Sequence, residues 1–85
     1  MAKKYDIKAA LLEAAEEVLG LPQDEMAESM ELDLFENGLI DSMGCVAMMT
    51  YVEEQLNVSI AIEDMANEDF ATLAAMEKAI ANMIG

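Results

Sequence analysis

With 85 residues, 55% of them hydrophobic, the chain has the apolar content of one small folded domain rather than a disordered acidic tail. Eighteen Asp and Glu against four Lys and no Arg give a formal charge of −14. That sign is wrong for displacing counterions from nucleic acid or adsorbing to anionic lipid, and no apolar run reaches the roughly 18 residues of a membrane-spanning helix.

The start, Met-Ala-Lys-Lys-Tyr-Asp, has no apolar stretch of the signal-peptide kind, so a cytoplasmic protein is expected. No repeat or linker interrupts the chain, and residues 1–85 read as a single domain. Ile7, Ala10, Leu11, Ala14, Ala15 and Val18 recur at helical spacing behind Asp6 as N-cap, and Gly20 with Pro22 stops the helix near Leu19. From Leu21 to Ile40 acids and apolar residues interleave without a period, a long connection of the kind that is functional or carries a short helical turn. Asn37-Gly38 marks a turn, and Asp41 caps a second helix, Met43 to Leu56, with Cys45, Met48, Met49, Val52 and Leu56 as its apolar stripe. Val58, Ile60 and Ile62 alternate but have no partner strand, so they read as an extended linker into a short turn near Glu63 to Ala66. The last helix starts at Thr72 and carries Leu73, Met76, Ile80, Met83 and Ile84, with Phe70 anchoring its entry. The expected fold is all-α, a small bundle of three main helices plus one short one, with a long loop between helices one and two.

Asp41-Ser42-Met43 places a serine in the first turn of a helix. The unpaired N–H groups and partial positive charge there favour a phosphate on the Ser42 hydroxyl. Asp33, Glu36 and Asp41 oppose it, so the serine should be exposed to water. Taken alone, the tripeptide is also ordinary helix-start chemistry.

In its setting, behind Leu32-Asp33-Leu34-Phe35-Glu36-Asn37-Gly38-Leu39-Ile40 and ahead of an amphipathic helix, the segment resembles the acyl and peptidyl carrier protein family, along nearly the whole chain. The resemblance implies a four-helix bundle whose serine, here Ser42, receives 4′-phosphopantetheine from coenzyme A through a phosphopantetheinyl transferase. The arm's thiol then holds acyl or aminoacyl groups as a thioester. Phe70-Ala71-Thr72-Leu73 resembles the family's approach to its last helix. Within the family, Asp33 to Val46 looks closer to D-alanyl carrier proteins than to fatty-acid synthase carriers, because Gly44 and Ala47 stand where the latter usually have acids. Asp41, Met43, Val46, Glu53 and Glu54 are the expected partner-binding residues. The implied partners are the transferase, a loading ligase and an acyl-accepting transferase or synthase, serving a monomer with no catalytic or metal-binding residues of its own. The cargo stays open between D-alanine and an acyl group for lipid or polyketide synthesis.

Other chemistry is poorly supported. Histidine is absent and Cys45 is the single cysteine, which excludes a Ser-His-Asp or Cys-His enzyme and an internal disulfide. Cys45 lies one helical turn after Ser42 but has no base nearby in sequence, and reads as a small buried hydrophobe. Asp33, Asn37 and Gly38 fit positions of a calcium loop, but Phe35 and Gly44 remove two required ligands. Met48, Met49, Met76 and Met83 fall on core stripes, whereas Met43 beside Ser42 is a candidate contact for a partner. The competing class is a noncatalytic acidic interaction module with no prosthetic group.

Overall fold

A computed structural model describes residues 6–84. Lys3, Lys4 and the Met-Ala-Lys-Lys-Tyr start, on which the cytoplasmic expectation rests, lie outside them, so the cations within the described residues are Lys8 and Lys78.

The first helix, α1, spans Ile7–Leu19. Asp6 Oδ1 accepts from the Ala9 N–H at 3.1 Å, satisfying a donor that the helix leaves unpaired. At the other end Gly20 takes the left-handed conformation (φ 73°), and its N–H and that of Leu21 reach the Glu16 and Ala15 carbonyls. One face of α1, with Ala10, Leu11, Leu12, Ala14 and Ala15 buried, packs most extensively on the Ser42–Leu56 helix and also meets the Leu73–Ile84 and Gln23–Ala27 helices. The alanines let neighbouring backbones come close.

The long connection contains one short helix, α2, Gln23–Ala27, which buries Met26. Its five residues are too few to show a period, and Pro22 ahead of it supplies a preset φ of −65°. The rest of the connection is irregular but tied down. Leu34 is fully buried, its N–H donates to the Ala71 carbonyl at 2.7 Å, and the Ala74 N–H donates to the Met30 carbonyl at 3.0 Å. Asp33 closes a local turn by accepting from the Glu36 N–H at 2.9 Å, while Asn37 Nδ2 donates to the Asp33 carbonyl. The carboxylate that suggested a calcium loop is thus part of the chain's own turn.

Helix α3 spans Ser42–Leu56 and buries Cys45, Met48, Met49 and Val52, the expected stripe. It ends at Asn57, a non-glycine residue at φ 56°, a conformation asparagine tolerates better than most. The linker beyond it then makes two 3₁₀ turns, Ile62–Asp64 and Asn67–Phe70. The first is the expected turn, shifted toward Ile62. The second depends on Asp69, whose carboxylate accepts from the Ala66 N–H at 2.9 Å, and on burial of Phe70. Helix α4, Leu73–Ile84, buries Leu73, Met76 and Ile80 and starts with the Thr72 hydroxyl accepting from the Ala75 N–H at 3.0 Å.

The described residues are all helix and loop, with three long helices and one short. No polar or charged residue among them is buried, so the core side chains are held by hydrophobic burial and packing. Met48, Met49 and Met76 are fully buried within it, while Met83 is half-buried at its edge. Among the described residues no helix is long and apolar enough to cross a membrane.

Candidate functional site

Ser42 is the first residue of α3 and is exposed. Asp41 holds the helix start: its backbone is extended (φ −131°), its Oδ1 accepts from the Gly44 N–H at 2.7 Å, and its carbonyl accepts from the Cys45 N–H at 2.9 Å. Those bonds use the third and fourth N–H groups of the helix. The Ser42 and Met43 N–H groups remain as the end's free donors, in position to favour an anion joined to the serine oxygen.

Past the Asp41 cap, the neighbours of Ser42 on α3 are uncharged and largely apolar. Met43 is 82% exposed and Val46 50%, the two most exposed large hydrophobics among the described residues. Ser42 to Val52 carries no charged side chain. On one flank a cleft of about 330 Å³ opens beside Ser42, lined by Phe35, Cys45, Val46, Ile62 and Phe70 with Asn67. A second, shallower apolar surface runs over Ser42, Met43, Val46 and Ala47.

Asp41, Ser42, Met43 and Val46 therefore stand together, as the sequence expects. Glu53 and Glu54 do not join them: Glu53 lies eleven positions along the helix from Ser42, roughly 16 Å at 1.5 Å per residue. The two acids also differ from each other. Glu53 is half-buried and its Oε2 accepts from the Ile60 N–H at 2.7 Å, whereas Glu54 faces solvent. Phe35, Ile62, Asn67 and Phe70 reach the Ser42 cleft from three other segments, and nothing in their spacing announces it.

Cys45 is buried. Burial first, and then the Asp41 carboxylate, push its thiol above the usual range, so it stays protonated at neutral pH and unreactive as a nucleophile. Toward α1 the field is acidic. The Tyr51 phenol is pushed up by desolvation first and then by Glu13, Glu17 and Glu16.

An exposed serine at a capped helix start, with free N–H groups for a phosphate and open space beside it, fits a phosphopantetheine arm. The family model described as "Phosphopantetheine attachment site" matches residues 9–80. The chain belongs to that family of carrier proteins. Its similarity to curated proteins points the same way: it is 31% identical over 67 residues to the D-alanyl carrier protein of Streptococcus suis, covering 79% of this chain and 81% of the relative. It is 24% identical over 78 residues to D-alanyl carrier protein 2 of Lactiplantibacillus plantarum, covering 92% and 94%. With the D-alanyl carrier protein of Leuconostoc mesenteroides it shares 25% identity over 80 residues, covering 94% and 99%. No solved structure matches significantly. The protein is thus a noncatalytic carrier whose cofactor is 4′-phosphopantetheine, and an acidic module without a prosthetic group is not favoured.

Proposed function

We propose that this carrier holds D-alanine as a thioester on a 4′-phosphopantetheine arm attached to Ser42. The single observation that carries the attachment site is the exposed Ser42 hydroxyl at the start of α3, beside free helix N–H groups and an open cleft. Its oxygen attacks the phosphorus of the phosphopantetheine phosphate in coenzyme A, the bond to adenosine 3′,5′-bisphosphate breaks, and the serine proton passes to a base of the transferase. The attached arm supplies the thiol that carries the cargo. The free N–H groups at Ser42 and Met43 favour the phosphodiester that results.

D-alanine as cargo rests on the similarity to D-alanyl carrier proteins and on the uncharged start of α3, where Gly44 and Ala47 stand in place of the acids usual in fatty-acid carriers. Partner enzymes meet Met43 and Val46 beside the arm, with Asp41 orienting the helix start, and meet the acidic far end through Glu54 and the outer face of Glu53. The partners are a phosphopantetheinyl transferase, an ATP-using ligase that loads the thiol, and an acyltransferase that receives the D-alanyl group. The protein works in the cytoplasm as a monomer.

Intact mass after incubation with coenzyme A and a broad-specificity transferase tests the attachment. A gain of one phosphopantetheine that Ser42→Ala abolishes is expected; no gain, or one that survives Ser42→Ala, contradicts it. Loading of the holo form by a D-alanine ligase, compared with a fatty-acyl ligase, tests the cargo.

A further inference from the structure

Gly44 sits in the first turn of α3, where nothing in its backbone conformation calls for glycine. Space does. A Cβ at this position would lie 3.2 Å from Ile40 Cγ1, 3.2 Å from Asp41 Oδ1 and 3.3 Å from Leu19 Cδ2, all inside ordinary van der Waals separation. The last residue of α1, the last buried residue of the loop and the helix cap converge on one Cα. Ile40 is held in the core, and the Asp41 carboxylate is held by its 2.7 Å bond to the Gly44 N–H. Alanines occupy the same position behind the Asp6 and Thr72 caps, so the Asp41 contact is ordinary cap geometry; the crowding comes from Ile40, which has little freedom to retreat, and from Leu19.

Ser42 lies between Asp41 and Gly44, so relief of this crowding moves the serine: either the Asp41 cap releases the Gly44 N–H, or the helix start lifts away from α1. We propose that the missing side chain at Gly44 is a positioning device for Ser42, letting the end of α1 seat against the first turn of α3 and fixing the serine as acceptor for the transferase. The inference rests on Ser42 being the attachment site.

The test is transferase kinetics on Gly44→Ala, Leu19→Ala and the double variant, with the amide proton spectrum of position 44 as a reporter of the Asp41 bond. Alanine is the better helix former, so without crowding Gly44→Ala should raise the melting temperature and leave transfer alone. Instead the melting temperature should not rise, the position-44 amide should shift, and kcat should fall about tenfold with KM within about twofold, as expected when an acceptor is misplaced rather than unbound. Leu19→Ala should restore kcat in the Gly44→Ala background. An unchanged kcat in a folded Gly44→Ala protein, a rise in KM alone, or no restoration in the double variant would overturn the proposal. If Gly44→Ala does not fold, the double variant decides against Leu19→Ala alone: equal kcat supports the proposal and a deficit refutes it. Absence of modification on the unaltered protein would instead remove the attachment reading itself.

Discussion

At the start of α3 the Asp41 carboxylate folds back onto its own helix, accepting from Gly44, while at the far end Glu53 reaches out of the helix to the Ile60 N–H in the next connection. Between them Ser42 to Val52 has no charge, and only Glu54 beside Glu53 leaves its carboxylate in water. The contrast teaches that acidity and docking charge are different things. Asp6, Asp33 and Asp69 are likewise engaged by backbone N–H groups, so part of the −14 charge builds turns and caps. Along α3 from the serine, the exposed surface at Met43 and Val46 is instead apolar.

The sharpest way to break this division is at its acidic end. Glu53→Ala removes a charged acceptor from a part-buried N–H and should cost about 1.5–3 kcal/mol, whereas exposed Glu54→Ala should stay within about 0.5 kcal/mol. Urea denaturation of the two variants checks it, and equal losses would erase the distinction. At the other end Met43→Glu should raise the transferase KM about tenfold, roughly 1.4 kcal/mol, with the melting temperature unchanged, because Met43 is 82% exposed and packs on little of its own protein. Asp41→Ala should cost about 1 kcal/mol through loss of the cap, and Asp41→Asn much less. A thermal melt distinguishes them.

The smallest effects are electrostatic. Salt should raise the melting temperature by screening like charges. The Tyr51 phenol, raised in the folded state, contributes stability that is fully present below the ordinary phenol pKa near 10 and is lost as pH rises through its folded value. Spectrophotometric titration should show that raised value fall toward normal in high salt.

The three long helices were legible because each buries a stripe at helical spacing and has a polar cap next to it in sequence: Asp6, Asp41 and Thr72 all accept the expected N–H. Helix α2 was not, because Gln23–Ala27 offers one buried residue, Met26, and hence no period. The turn at Asn67–Phe70 escaped because it depends on the Asp69 side chain and on Phe70 finding the core. The site divides the same way. Asp41, Ser42 and Met43 are adjacent in sequence and could be read directly. The cleft could not, since Phe35 and Phe70 meet beside Ser42 only after Leu34 pairs with Ala71 across the fold. Gly44 could be noted as a departure from the fatty-acid pattern, but the approach of Leu19 from the end of α1 exists only in three dimensions.

The central claim is that one exposed serine at the start of α3 carries the prosthetic arm, and site-resolved mass spectrometry of the coenzyme A-treated protein tests it most directly. The account predicts a single phosphopantetheine, mapped by fragmentation to Ser42 and absent from Ser42→Ala. A modification mapped to Ser29 or Ser59, or an unmodified protein under conditions that convert a D-alanyl carrier protein fully, would contradict it.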